Sequence, residues 1–542
     1  MNQSQPTTPQ PAADKATHFD AVIVGAGFAG MCMLHKLRTL GFIAKVYEVG
    51  SNVGGTWYWN RYPGARCDVP SLQYSYQFSE ELQQEWQWTE RYSSQPEILR
   101  YANHVADRFD LRKDIQFNTR VESVILDEST NRWTIETDRG DRVTAKFCIM
   151  ATGCLSSKNI PKLPGLADFQ GEWYHTGNWP HEGAKFAGKR VGVIGTGSTG
   201  IQAIPMIAQE AEHLYVFQRT PQYSVPARNA PMDREEEART KADYKGFRAR
   251  NNARPFAQDL TPPDVKTFEV SEEERRRRYK ECWERGGLGM MLAYADSGTN
   301  LAANETISSF VKEKIHEIVK DPAVAKMLSP DHIYACKRPC LDTNYFEAYN
   351  RANVTLVDIS GTGVARVTSR GLQVKETEYE LDCIVFATGF DAMTGSLNNI
   401  NIRGKGNQAL KDKWAEGPRS YLGLSSAGFP NLFTITGPGS PSVLANMIPA
   451  IEQHVNWIGD CLQYMRKHGL RTIEATVEAE NPWLIQVQTA ANATLWNACD
   501  NWYQGANIPG KPRVFMPYVD WVGYVAKCNE VVKNSYEGFA LK

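Results

Sequence analysis

Asp20-Ala-Val-Ile-Val-Gly25-Ala-Gly27-Phe-Ala-Gly30 is the stretch from which the rest of the chain can be read. Its opening residues form a short apolar, β-branched run, the pattern of a buried parallel strand. Met31, Leu34, Leu37 and Leu40 follow at helical spacing, Gly41 ends that helix, and residues 42–48 supply a second strand. Strand, glycine-rich turn, helix and strand make the βαβ unit that cradles a dinucleotide. Gly25 permits the tight turn, Gly27 lets a pyrophosphate approach the backbone, and Gly30 lets helix and strand pack closely; the helix N-terminus offers free N–H groups to phosphate. Glu48, 23 residues after Gly25, is placed to bond a ribose 2′-hydroxyl.

The same unit recurs farther along. Val191-Gly-Val-Ile-Gly195 leads into Thr196-Gly197-Ser198-Thr199-Gly200, then Ile201-Gln202 and the rest of a helix, then the strand His213–Gln218. Here the residue 24 positions after the first glycine is Arg219, a cation. A cation suits a 2′-phosphate through charge-assisted hydrogen bonds, although taken alone Arg219 also reads as a solvated surface charge. The first site therefore asks for a dinucleotide with a free ribose and the second for NADP(H), which together point to FAD plus NADPH. Segments 147–154 and 381–390 both carry Ala-Thr-Gly and look like the exits and re-entries of a nested domain. The expected layout is a tail over 1–17, an FAD domain over 18–153 and 385–542, and an NADP domain over 154–224 and 333–384. Residues 225–332 read as a helical insertion. Ser271 and Glu274 form a capping-box signature there, and Glu272–Glu274 stand four residues before Arg276–Arg278. A further helix is expected over 308–322, stopping before Pro322.

Composition narrows the function classes. The chain has 542 residues, with 60 Lys+Arg against 61 Asp+Glu, for a net charge of −1, which argues against a nucleic-acid binder. No apolar run is long enough for a membrane span, and the start has neither the basic nor the apolar region of a secretory signal. With 14 Trp, 23 Tyr and 21 Phe, the chain beyond the polar tail reads as globular. Its 11 cysteines, odd in number and scattered, fit a reducing compartment, hence the cytoplasm. Cys336 and Cys340 are the closest pair but lack the spacing and histidines of a zinc site, so no metal is expected.

Three further features carry a family resemblance. Phe169-Gln-Gly171-Glu-Trp-Tyr-His175-Thr-Gly-Asn-Trp179-Pro180 precedes the second glycine turn. Gly54-Gly55-Thr56-Trp57, Tyr62-Pro63-Gly64 and Asp68 follow the first βαβ unit. Segments 337–351, 437–447 and 501–518 extend the match toward the C-terminus. On these the chain resembles a type I Baeyer–Villiger monooxygenase, nearest the phenylacetone, steroid and cyclohexanone group. The resemblance implies an α/β fold with two Rossmann-like domains, for FAD and NADP, and NADPH- and O2-dependent conversion of a ketone to an ester or lactone through a flavin C4a-peroxide. Its partners would be a small-molecule ketone and no nucleic acid or membrane, with the protein a monomer or weak homo-oligomer.

The resemblance also implies site roles. Arg338 is the cation expected to hold the anionic oxygens, because a guanidinium stays charged and its fork can hold two oxygens at once. Asp68 would orient it; read without the family, the two could be an ordinary ion pair. Gly25, Gly27, Gly30, Glu48, Thr56, Trp57, Asp68, Tyr74 and Met447 are expected at FAD. Thr196, Gly197, Ser198, Thr199, Gly200, Ile201, Gln202, Arg219, Thr220, Lys337, Arg338 and Trp502 are expected at NADP, with Trp502 on a mobile loop near 500–512. Trp502 also reads as a core residue and Met447 as a gap filler. His175 is expected to couple the domains rather than act as a base. The alternatives are an N- or S-hydroxylating flavin monooxygenase, or a non-catalytic redox-sensing protein. A disulfide reductase is excluded, because no CxxC occurs and no CxxxxC follows the first βαβ unit.

Overall fold

The computed structural model describes residues 17–542, so the polar tail expected over 1–17 lies, except for Thr17, outside the described residues. Strand Thr17–Val24 sits at the heart of an eight-stranded sheet, parallel to Ala44–Tyr47 on one side and to Arg142–Met150 on the other. Ala21, Val22 and Ile23 are wholly buried, as a strand covered on both faces requires. Arg142–Met150 pairs antiparallel with Arg132–Thr137 through its first half and parallel with Leu432–Thr434 through its second. The C-terminal part of the chain thus returns to the sheet that the N-terminal part began. Helix Phe28–Thr39 packs beside the long helix Met447–Lys467, and a side chain at Gly459 would collide with Lys36.

The second sheet has five strands, all parallel, in the order Val354–Asp358, His213–Gln218, Arg190–Ile194, Cys383–Phe386 and Glu172–His175. The architecture is α/β with two Rossmann-like units. One boundary needs correction. Residue 384 falls inside the strand Cys383–Phe386, which is paired on both sides within the smaller sheet, so the chain leaves that sheet after Phe386.

Between the sheets' strands, the region 225–332 is mostly helical. Ser271 Oγ accepts from Glu274 N at 3.2 Å and opens helix Glu272–Arg285. The ion pairs differ from the expected i,i+4 set: Arg277 holds Glu274 and Glu281, while Arg276 reaches Glu313 on the next helix. That next helix runs Leu301–Ile318, starting early because Asn300 caps it. Pro322 does not stop it but opens a new helix, Pro322–Leu328, at the position where a missing N–H costs nothing. The helical region also clasps the larger sheet's side of the molecule. Arg248 donates to Gln73 O at 3.0 Å and Ser75 Oγ at 2.6 Å, and Tyr244 OH donates to Leu72 O. Among the described residues no helix is long and apolar enough to cross a membrane.

Candidate active site

The two glycine turns are built alike, down to their neighbours. Gly25 has φ +104° and Gly195 φ +108°, a conformation that disfavours any side chain. A Cβ on Gly25 would meet Ala151 O at 2.6 Å, and one on Gly195 would meet Ala387 O at 2.5 Å. The two Ala-Thr-Gly segments are therefore the backbones against which the turns close. The helices that follow, Phe28–Thr39 and Ser198–Glu210, have no side-chain cap and no acid in their first turn. The helices Arg234–Ala242, Glu272–Arg285, Leu301–Ile318, Met447–Lys467, Val477–Asn492 and Trp521–Lys533 are all capped by Ser, Thr, Asp or Asn. Unspent N–H groups at these two N-termini suit the pyrophosphates of FAD and NADP.

On the FAD side, Gly27 lies against Gly55, and a Cβ on either would come within 3.3 or 2.9 Å of the other's Cα, so backbone alone lines this cradle. Glu48 accepts from Ala26 N and Gly50 N, each at 2.7 Å. Burial raises its carboxyl above the usual range although those N–H groups pull it back. Two N–H bonds leave carboxylate lone pairs for a ribose hydroxyl, so the residues present fit FAD. Thr56 is exposed at the start of the short helix Thr56–Trp59, and Trp57 Nε1 donates to Tyr74 OH at 3.0 Å. Met447 begins the long helix and shares a small apolar cluster with Trp502, Met393 and Met516.

The second pattern then crosses to the other unit. Tyr62 OH donates to Gln202 Oε1 at 2.8 Å, and Gln202 Nε2 donates to Arg66 O at 3.1 Å and reaches Asp68 Oδ1 at 3.5 Å. Asp68 Oδ2 in turn accepts from Arg338 Nη2 at 3.1 Å. Arg338 lies just before strand Cys340–Asp342, which pairs with Ser224–Pro226. Burial works against the Arg338 charge, but the adjacent Asp68 carboxylate and its hydrogen bond favour the charged form, and on balance the guanidinium's pKa rises. Asp68 itself is pushed up by burial and drawn back by Arg338. Burial lifts the Tyr503 phenol to about 12 against the pull of the same guanidinium. The result is a fixed cation with a carboxylate on one side and a neutral phenol beside it.

On the NADP side, Gly197 faces open space, with nothing within 4 Å of where a Cβ would stand, whereas Gly200 is closed against Gly195. Thr196 Oγ1 donates to Thr220 O at 3.1 Å, Thr199 meets Thr176, and Ser198 Oγ lies 3.2 Å from Cys340 Sγ. Arg219 is exposed. Lys337 has its pKa lowered first by burial; the Asp500 carboxylate opposes that shift and Arg219 adds to it, so Lys337 and Arg219 bring two cations to one place. These residues fit a 2′-phosphate. Two of the residues expected here are engaged within the protein: Ile201 is fully buried in the smaller unit's core with its N–H on Gly197 O. Gln202 spends its amide on the bridge to Tyr62, Arg66 and Asp68.

A family model described as pyridine nucleotide-disulphide oxidoreductase matches residues 22–233. The chain is 43% identical over 527 residues to a Baeyer–Villiger monooxygenase of Pseudooceanicola batsensis, covering 96% of this chain and 95% of that one. It is 42% identical to phenazine N-monooxygenase PhzNO1 of Lysobacter antibioticus, over 97% of both chains. Among solved structures, an oxidized steroid monooxygenase bound to NADP superposes with a TM-score of 0.93 at 50% identity, covering 97% of this chain and 99% of that one. The chain belongs to the type I Baeyer–Villiger monooxygenase family.

In this Baeyer–Villiger monooxygenase the histidine of the linker pattern is placed to connect, not to titrate. His175 Nδ1 accepts from Gly177 N at 3.0 Å, and Nε2 lies 3.4 Å from Thr388 Oγ1 in the second Ala-Thr-Gly segment. Burial lowers its pKa to about 4, which leaves it neutral near pH 7. Trp179 N donates to Trp59 O, joining the pattern's end to the FAD-side helix. Sequence reasoning missed Tyr503, whose only signal was its place beside Trp502. It also missed the bond between Cys336 and Cys499. The expectation of scattered free thiols fails there, and the pair closest in sequence is not the pair that bonds.

Proposed function

We propose that this chain inserts one oxygen atom of O2 beside the carbonyl of a cyclic, aromatic or bulky ketone at the expense of NADPH, giving an ester or lactone, with Arg338 as the group that makes this possible. The supporting observation is the Arg338–Asp68 pair, held at 3.1 Å where the second pattern, the smaller unit and the segment around Tyr503 meet. Bound FAD supplies hydride acceptance from NADPH and activation of dioxygen. Arg338 presents a permanent positive charge and a two-pronged donor to oxygens that become anionic. Asp68 fixes the orientation of that fork. The Tyr503 phenol keeps its proton at neutral pH and can donate it as a hydrogen bond. Lys337 and Arg219 hold the 2′-phosphate, and Trp502 with Met447 forms an apolar wall. The FAD-binding part takes in residues 18–153 and the chain after Phe386, the NADP-binding part the segment between, with 225–332 as an insertion. The test is a ketone panel with NADPH and O2, read by product mass. A gain of one oxygen on the carbonyl compound supports the reading, and its absence across the panel overturns it.

The 42% identity to a phenazine N-monooxygenase favours a second reading, oxygenation of a heteroaromatic nitrogen. Phenazine run beside the ketones decides between them: faster N-oxide than ester formation would make nitrogen the acceptor.

A further inference from the structure

Among the described residues one disulfide forms, between Cys336 and Cys499, 163 positions apart with Cα atoms 5.9 Å apart. The other nine cysteines are free, eight of them buried, so the bond does not belong to a stapled framework. Its position is specific. Cys336 immediately precedes Lys337 and Arg338, and Cys499 lies three residues before Trp502 and four before Tyr503. Hydrogen bonds reinforce the same junction: Asn501 Nδ2 donates to Cys336 O at 3.0 Å, and Lys337 Nζ donates to Asp500 O. Asn501 also gathers its own segment, donating to Trp496 O and Cys499 O. Cys336 is wholly buried while Cys499 is half-buried, so the outer sulfur is the one a solvent thiol can reach.

We propose that Cys336 and Cys499 are a redox-addressable positioning pair that clamps the Trp502–Tyr503 segment onto Lys337 and Arg338, so that reducing the bond uncouples NADPH consumption from oxygen insertion. The proposal rests on the roles given above to Arg338, Lys337 and Trp502. The reductant is a dithiol. One of its thiolates attacks Cys499 Sγ, the S–S bond breaks, and the electron pair leaves on Cys336 Sγ, which takes a proton. The second thiol resolves the mixed disulfide, releasing Cys499 as a thiol and the reagent as its own disulfide. Two electrons and two protons pass to the protein. His332 Nδ1 lies 3.8 Å from Cys336 Sγ, beside the departing sulfur. Without the covalent link, the junction is left to the Asn501 and Lys337 hydrogen bonds, which break singly and re-form. A segment that must be ordered on each visit of the nucleotide binds it more weakly and shields the site less.

The experiment compares the holoenzyme before and after dithiothreitol. Alkylation under denaturing conditions should label nine cysteines before and eleven after. Reduction should lower ester formed per NADPH consumed and weaken NADP+ binding, each by about fivefold, and should open the Arg513–Val514 bond to trypsin. Reoxidation should restore all three. The double variant Cys336→Ser/Cys499→Ser should show the reduced behaviour without the reagent and no further response. Cys282→Ser, which removes a free thiol elsewhere, should respond as the parent does. A melting temperature followed in parallel separates loss of coupling from loss of fold. Eleven labelled cysteines in the untreated holoenzyme, or unchanged coupling after reduction, would overturn the proposal. If no ketone yields ester in either state, the functional reading fails instead, and NADP+ affinity and tryptic cleavage still decide whether the pair clamps the segment.

Discussion

Two cations divide the chemistry at the level of single side chains. Arg338 is paired with the buried Asp68 and has its pKa raised, so no accessible pH removes its charge. Arg338→Ala should therefore retain NADPH-driven flavin bleaching while ester formation falls by ~10²–10³, the loss typical of removing an oxyanion donor. Stopped-flow absorbance and product analysis on variant holoenzyme check both halves. Arg219 works at the far end of the nucleotide. Arg219→Ala should raise the KM for NADPH by ~10–100-fold, the worth of a charge-assisted hydrogen bond, and leave the weaker use of NADH nearly unchanged. Arg219 could be proposed from residue type at a fixed offset from the glycine turn, whereas Arg338 was reached only through the family resemblance, since residue type alone left it an ordinary ion pair with Asp68. The burial of Ile201 was not legible: its place in the glycine pattern says nothing about which helix face it occupies, and that face is the core. Cys336 and Cys499 were illegible because only the folded chain brings together residues so far apart.

At the level of the element, the strand–turn–helix units could be read almost to the residue, since buried strand, helix period and glycine turn all point the same way. Their glycines nonetheless do different jobs, and the structure separates them. Gly195 has φ +108° and no room, with Ala387 O 2.5 Å from where a Cβ would sit, while Gly197 has an ordinary extended φ and open space. Gly195→Ala should thus destabilise the smaller unit by ~1–3 kcal/mol, the usual cost of forcing a side chain into such a conformation. Gly197→Ala should leave the melting temperature within a few degrees but weaken NADP+ binding, because its methyl group intrudes only on the phosphate. Thermal melts and NADP+ titration on the two variants test the distinction. What the units could not announce was their shared closing surface. The role of Ala151 and Ala387 depends on contact with Gly25 and Gly195 across the sheet, which no local pattern encodes.

Across the whole molecule, buried titratable groups tie the larger sheet's helices to the segments packed on them, and they set opposing pH slopes. Glu452, on the long helix, accepts from Gln77 N at 2.6 Å and Phe78 N at 3.0 Å. Burial raises its pKa from 4.5 to about 7 despite those bonds and the nearby Arg248. A carboxyl raised on folding contributes stability that is complete below its unfolded pKa and is lost as pH climbs through the folded value. Its contribution therefore declines between pH 4.5 and 7. His454 runs the other way. It accepts from Thr436 N, lies 2.8 Å from Tyr524 OH, and is lowered by burial to about 4, so its contribution is complete above pH 6.5 and is lost as pH falls through the folded value. His175 follows the same direction. Within the shared window the slopes oppose, two histidines rising against one carboxyl falling. Glu452→Gln keeps an acceptor for the two N–H groups but removes the falling slope. Relative to wild type, the variant should gain ~1–3 kcal/mol on going from pH 5 to pH 8, read from chemical denaturation at each pH. A constant difference across that range would mean that Glu452 ionises freely despite its burial.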